Sequence, residues 1–486
     1  MPNTGTMPAY NLPQTVFMLS LGSNALFGET GTQAQLQTNI NQFLRGYQPG
    51  SLAPNQTLPI APFYQFLNPP NAHYPSLAGG DWSTVWGPYV YVATIDGEQI
   101  NPGATNMMFV AYSKSQKTYV VAIAGTNPKG WSAALVQDLK VGPAGMVAWP
   151  PVQDPNNLGQ LKWAAQPSPA ANQPAIDAGT SAGLDVLYTM VCPYSNQTLV
   201  AFLDPSNPNG ANAQSGQTIV FTGHSLGGAL SPSLAMLLYP QAEKSLTPPP
   251  GAPNPNASQW EHVFILATAG PTPGNAGFAN LFYSPVEPTP LPNPSPAPVP
   301  VAYPPSALSL TGVSGNYMPI ATGVAAPSDG IWPLMYWNMD YANVYDVVPR
   351  AWTLLAGLVQ QPPKGDYPSF FANGASLAST SNNVLEQAVG PFAYDLIGKL
   401  KGFAGYGGTN ATPYYAHCLM HFPINGTWGT WTTGQPYPAT FMDEATPTTF
   451  QSFAALTPYI LDAHLDQYSQ ALLGYPGLQI AQTVLT

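Results

Sequence analysis

The apolar positions of the chain fall into short runs separated by polar or glycine- and proline-rich turns. Tyr89-Val90-Tyr91-Val92-Ala93 reads as a strand. Met107-Met108-Phe109-Val110-Ala111-Tyr112 and Thr118-Tyr119-Val120-Val121-Ala122-Ile123-Ala124 read as paired strands, with residues 113–117 as their polar connection. β-Branched and aromatic runs bounded by turns support these assignments. The second of the pair is almost wholly apolar, as expected of a strand buried on both faces. Further on, residues 184–191 and 229–238 read as helices, and residues 217–222 and 263–267 as short buried strands. Strand alternating with helix predicts an α/β fold with a mainly parallel central sheet flanked by helices.

Between these elements the pattern weakens. Residues 1–80 are rich in Pro, Asn and Gln and read as an N-terminal arm packed on the body, leaving 81–486 as one catalytic domain. Residues 142–176 have little periodicity and predict a long loop, with 142–165, just after Val141, as a lid carrying Met146, Val147, Trp149 and Trp163. Apolar groups of that kind are stable only against a site or at a lipid–water surface. Prolines crowd residues 283–306, so this stretch runs as an extended connector within an insertion of about 283–330. A second insertion is expected over about 353–450.

Composition changes the picture in two ways. Only 7% of the 486 residues are charged, against about 25% in an average soluble domain, so the surface is built from neutral polar groups and suits an uncharged or apolar substrate. The formal net charge is −11, with 11 Lys and Arg in all. That excludes the basic stripe a nucleic-acid binder needs and disfavours docking on anionic lipid. No apolar run reaches the roughly 18 residues of a membrane-spanning helix. No signal peptide is recognisable at the N-terminus, although extracellular esters as substrate favour export. Cys192 and Cys418 are the only cysteines, and the sequence leaves open whether they pair. No metal-ligand cluster or cofactor motif stands out.

The strongest chemical signal is Gly223-His224-Ser225-Leu226-Gly227-Gly228. A bare G-x-S-x-G is weak, but here an apolar strand leads in and an Ala- and Leu-rich helix leads out, the setting of a nucleophile elbow. The tight turn strains Ser225 and lifts its hydroxyl clear of the sheet, and Gly223 and Gly227 remove side chains that would collide. A helix N-terminus behind Ser225 favours developing negative charge.

With the elbow in place, the sequence resembles the class 3 lipase family, the fungal type of triacylglycerol lipase with an α/β-hydrolase fold. The likeness covers about residues 105–280, reappears around 338–352 and returns near the C-terminus. Val120-Val121-Ala122-Ile123-Ala124-Gly125-Thr126 resembles the family's oxyanion strand, with Ala124 where the family has Arg. Trp131 and Asp138-Leu139 fall where the family has a Trp and an Asp-Leu pair. Ala269-Gly270-Pro271-Thr272-Pro273-Gly274-Asn275 with Phe278 resembles a second strand-end pattern, with Thr272 for Arg. Val344-Tyr345-Asp346-Val347-Val348-Pro349-Arg350 resembles the acid segment. At Ala178-Gly179 the family's preceding His is missing.

A serine needs a base, and the base an orienting acid. Asp346, isolated in apolar company, is the acid of choice over Asp329 and Asp340, because a lone buried carboxylate is costly unless paired. The base must follow it in an α/β-hydrolase. His464, in Leu461-Asp462-Ala463-His464-Leu465, resembles the family's C-terminal His segment; His417 is the alternative, and His421 also lies beyond Asp346. The N–H groups of Leu226 and Thr126 would meet the oxyanion. The expected function is hydrolysis of neutral lipid esters, with phospholipase, carboxylesterase and polyester hydrolase as alternatives, and a binding protein on a lipase scaffold as the alternative of another class.

Overall fold

The computed structural model describes residues 12–26, 28–45, 82–95, 98–99, 103–125, 145–154, 159–170, 172–211, 217–240, 260, 262–283, 338–343, 346, 348–350, 418–424, 462–466, 468–469 and 472. Two helices come first, α1 (Leu12–Ser23) and α2 (Gln33–Arg45). Strands β1 (Trp82–Tyr91), β2 (Thr94–Ile95), β3 (Glu98–Gln99), β4 (Asn106–Ser113) and β5 (Thr118–Ile123) follow. Then come β6 (Met146–Ala148), β7 (Val152–Gln153), β8 (Leu161–Lys162) and β9 (Ala175–Asp177), with helices α3 (Ala178–Thr189) and α4 (Leu199–Leu203). The last group is β10 (Thr218–His224), α5 (Leu226–Leu238), β11 (His262–Thr268), α6 (Ala276–Tyr283), β12 (Asn338–Asn343), β13 (Met420–Ile424) and a π-helical turn, Asp462–Asp466.

Seven strands form the central sheet in the order β1-β4-β5-β10-β11-β12-β13. Pairing is antiparallel from β1 through β4 to β5 and parallel from β5 through β10, β11 and β12 to β13. The parallel part is covered on both faces, which is why β5 and β10 are buried at every residue. Alternation sends Val120, Ala122 and Val220 into one cluster, with α1. It sends Tyr119, Val121, Ile123, Ile219 and Phe221 into another, with α3 and α5.

Helix α1 belongs to the segment expected as an N-terminal arm packed on the body, and it is enclosed on all sides. All twelve of its residues are buried, and it packs against β4, β5, β10 and β11. Its sequence carries no amphipathic stripe because a helix enclosed on all sides needs none. Two of its polar side chains find partners: Gln14 Nε2 donates to the distant Leu472 carbonyl at 2.8 Å, and Ser23 Oγ to the Ser20 carbonyl at 2.6 Å, whereas the Thr15 and Ser20 hydroxyls are buried without a hydrogen bond among the described residues. Helix α2 has a different task. It lies along β1, the edge strand, where Gln37 Nε2 donates to the Pro88 carbonyl at 2.7 Å and Gln37 Oε1 accepts from the Val90 N–H at 2.9 Å. Side-chain amides thus occupy backbone groups that an exposed edge would offer to another chain.

Two other stretches differ from the sequence reading. Residues 145–154 and 159–165, expected as a loop, contain three short strands: β6 pairs with β9, β7 pairs with β8, and Val147 bridges to Ala165. Pairs of two or three residues are too short to leave a period in the sequence. Strand β13 lies within 353–450, the stretch expected as an insertion, yet it is the outermost parallel strand of the main sheet. Its Pro423 fits an edge, where one N–H need not be donated. The proline-rich 283–306 stretch lies outside the described residues. Cys192 and Cys418 are both buried and unbridged. Among the described residues no helix is long and apolar enough to cross a membrane.

If α1 is part of the core, truncating Leu19, which is fully buried, should cost stability on the scale of other core leucines, about 2–5 kcal/mol. Urea unfolding of Leu19→Ala measures it. A loss under about 0.5 kcal/mol would mean that the helix is only loosely attached.

Candidate active site

The carboxyl ends of parallel strands are where an open α/β sheet gathers its ligand-binding groups, and three such ends carry the predicted residues. Strand β10 ends at His224, and α5 begins at Leu226. Ser225, between them, has φ 59 and ψ −127, a left-handed conformation rare for a residue with a side chain. Its N–H donates to the Thr268 carbonyl at 3.0 Å and its carbonyl accepts from the Gly228 N–H at 2.7 Å, so both sides of the turn are held. A Cβ at Gly223 would strike the Gly227 backbone, and one at Gly227 would strike the Ile123 carbonyl. Leu226 is the first residue of α5, so its N–H has no partner within the helix and is free to face developing charge.

Asp346 follows the end of β12 and is almost completely buried. Its Oδ2 accepts from the His464 ring at Nδ1, 2.8 Å away, and from the Tyr468 hydroxyl at 2.9 Å. Its Oδ1 accepts from the Val348 N–H at 2.9 Å. A carboxylate can only accept, so the proton of neutral His464 sits on Nδ1 and Nε2 is left as the basic nitrogen. The structure therefore joins Asp346 to His464. Of the rival acids, Asp340 is also buried, and its Oδ1 accepts from the Gly270 N–H at 3.3 Å. Asp329, His417 and Thr126 lie outside the described residues.

His224 links this pair to the elbow. Its ring stands 4.7 Å from the His464 ring and 5.3 Å from that of Tyr468, centroid to centroid. Its Nδ1 lies 2.9 Å from Thr268 Oγ1. Burial holds the His224 imidazole well below the ordinary histidine range. The His464 ring pushes the same way, against a smaller opposing pull from the His464 backbone. His224 is thus an uncharged spacer at neutral pH. Among the described residues no hydrogen bond joins Ser225 Oγ to the His464 ring; such contacts are commonly long in a free enzyme and tighten around substrate.

The third strand end is β5. Ala124 still belongs to the sheet, its N–H donating to the Met107 carbonyl at 2.9 Å, whereas the Gly125 N–H leaves it and donates to Asn24 Oδ1 at 2.8 Å. A cavity of about 20 Å³, room for about one water, is lined in part by Ser23, Asn24, Ala124 and Gly125.

The fold is that of an α/β-hydrolase. Among solved structures, a lipase designated M37 is similar to this chain with a TM-score of 0.46 at 20% identity, over 98% of this chain and 96% of that one. The Rhizomucor miehei triacylglyceride lipase matches with a TM-score of 0.23 at 18% identity, over 51% and 56%. Lipase II from Rhizopus niveus matches with 0.30 at 15% identity, over 69% and 75%. No family model matches the chain, and no curated protein matches it.

The residues expected on a lid pack against the body. Met146 is buried, and Val147 and Trp149 pack against the cluster beneath α3 and α5. The Trp149 ring meets Phe278 edge-on at 4.8 Å and lies 6.1 Å from Trp163. Asn275, part of the family-like strand-end pattern, explains why the segment stays down. Its Oδ1 accepts from the N–H groups of Ala175 and Phe278, and its Nδ2 donates to the Gln173 carbonyl. Asn24 and Tyr468 are the residues that sequence reasoning missed. Tyr468 was visible as the aromatic after the C-terminal His, while Asn24 carried no motif at all.

Trp163 Nε1 donates to Asp185 Oδ1 at 2.8 Å, tying this segment to α3. Burial raises the half-buried Asp185 carboxyl from 3.8 to about 6, against a smaller lowering by the Trp163 bond. A folded-state value above the ordinary one means that the folded chain binds the proton more tightly. Stability is then lost as pH rises from about 4 to about 6. Asp185→Asn removes that loss, so its melting temperature should gain on wild type across this window and the gain should level off above it. A difference that does not change with pH would contradict the assignment.

Proposed function

We propose that this protein is a serine hydrolase cleaving carboxylic esters of lipids through an acyl-enzyme. The observation that carries the reading is the 2.8 Å bond between buried Asp346 and His464, whose ring packs on the residue next to a strained, glycine-flanked Ser225. In this reading His464 Nε2 takes the Ser225 proton as Oγ attacks the ester carbonyl. Asp346 holds the imidazole and balances its positive charge. The carbonyl oxygen becomes an oxyanion facing the N–H groups of Leu226 and Thr126. As it re-forms the carbonyl, the leaving alcohol receives the proton from His464. Water then repeats the sequence, giving its proton to His464, releasing the acid and restoring Ser225.

A chain with 7% charged residues offers few groups to bind a charged head group. Neutral acylglycerols are therefore the proposed substrates, ahead of phospholipids.

A fluorophosphonate probe should label wild type and fail to label Ser225→Ala. His464→Ala should lower kcat by about 10⁶-fold and Asp346→Asn by about 10⁴-fold, and His417→Ala should remain active. A dead His417→Ala beside an active His464→Ala would move the base. An acyl-chain series on neutral esters and phospholipids, run in parallel, fixes the head-group preference, and faster turnover of phospholipids would overturn the neutral-lipid assignment.

A further inference from the structure

The end of β5 is fastened from outside the sheet. Gly125 is the first residue past the strand whose N–H finds no sheet partner, and it donates instead to Asn24 Oδ1 at 2.8 Å, across 101 positions of sequence. The N–H can only donate, which fixes the oxygen of the carboxamide on that side. The amide nitrogen is held as well: Asn24 Nδ2 donates to the Ser20 carbonyl at 2.9 Å and to Ser23 Oγ at 3.4 Å. The Asn24 backbone N–H donates to the Leu21 carbonyl at 2.9 Å. The side chain is 8% exposed, and every polar atom of it is occupied.

What Asn24 holds adjoins the nucleophile. A Cβ at Gly125 would come within 2.6 Å of the His224 carbonyl and 3.1 Å of Ser225 Cβ. The next residue along the chain is Thr126, the second proposed oxyanion donor. Helix α1 reaches two further parts of the site. Phe17 stands 6.5 Å from the His224 ring, and Gln14 holds the Leu472 carbonyl, eight residues beyond His464. Between Gln14 and Asn24, the residue just past the helix and about 15 Å further along it, this segment thus touches the C-terminal stretch with the proposed base, the neighbour of the nucleophile and the end of the oxyanion strand.

We propose that Asn24 is a positioning residue for the oxyanion pocket, fixing the Gly125 peptide so that the donors beyond it meet the Ser225 adduct. The inference rests on Ser225 being the nucleophile. Losing an oxyanion donor outright costs about 10²–10³ in rate. Displacing one by a fraction of an ångström costs less, so Asn24→Ala should lower kcat about 10–100-fold.

The test compares wild type, Asn24→Ala and Leu36→Ala on a soluble p-nitrophenyl ester, with active sites titrated by fluorophosphonate. Leu36 is fully buried in α2 and serves as a control for lost stability alone. The expected result is that Asn24→Ala labels to completion with kcat per labelled site down about 10–100-fold, KM within about threefold of wild type, and Leu36→Ala unchanged per site. A kcat per site within about threefold of wild type, or an equal loss in Leu36→Ala, would overturn the proposal. Should Asn24→Ala not fold, amide exchange resolved to Gly125 in wild type decides: slow exchange supports the bond, and exchange at the rate of a free amide overturns it. Absence of labelling in wild type would instead remove the nucleophile assignment, and this inference with it.

Discussion

The turn at Ser225 is the constraint around which the rest of the molecule is arranged. A side-chain-bearing residue in a sparsely populated backbone region costs on the order of 1–3 kcal/mol and survives only where its surroundings over-determine it. Here the surroundings are explicit. The Thr268 carbonyl of β11 takes the Ser225 N–H, and α5 closes on the Ser225 carbonyl. Backbone from β5 and from the helix itself fills the space that side chains at Gly223 and Gly227 would need. Three neighbouring strands and a helix are therefore committed to one residue's conformation. That commitment is possible because those strands are parallel and end together.

Enclosure of the sheet follows from the same demand. A parallel sheet must be covered on both faces, and the second cover is α1. Its complete burial looks excessive for a helix containing Gln14, Thr15, Ser20 and Ser23. It makes sense once its neighbours are considered: one end meets the carbonyl of Leu472, the middle meets His224, and the far end meets Gly125. The bond of Gln14 to a specific, distant group fixes the helix's register against the site, whereas the Thr15 and Ser20 hydroxyls are buried without a partner among the described residues and contribute nothing to it.

The parts of this architecture legible in the sequence were those with a local signature. β5, β10 and β11 announced themselves as apolar runs, and the elbow as a glycine-flanked serine between strand and helix. Asp346 stood out as a carboxylate without a local partner, and His464 through its resemblance to a family segment. What escaped had no local period. α1 shows no stripe because all its faces are covered. The short strands around Val147 are set by pairing with β9, and β13 by its place beside β12. Met146 and Trp149 stayed ambiguous for a reason of principle: an apolar side chain in an irregular stretch looks the same whether it covers a site or packs permanently on Phe278. Only the partner distinguishes the two.

Charge balance at the proposed triad ties these elements into one device. Asp346 is buried, and three donors converge on its two oxygens, from His464, Tyr468 and Val348. When His464 takes a proton in the proposed reaction, the new positive charge lies against that carboxylate on one side and against His224 on the other. A charged His224 at 4.7 Å would oppose the transfer. Its burial prevents this by keeping the ring neutral, and its bond partner is a hydroxyl, Thr268, rather than an acid. Enclosing His224 is in turn the work of α1, through Phe17, and of the C-terminal segment, through Tyr468. The helix that the sequence least advertised therefore bears on the base as well as on the oxyanion strand.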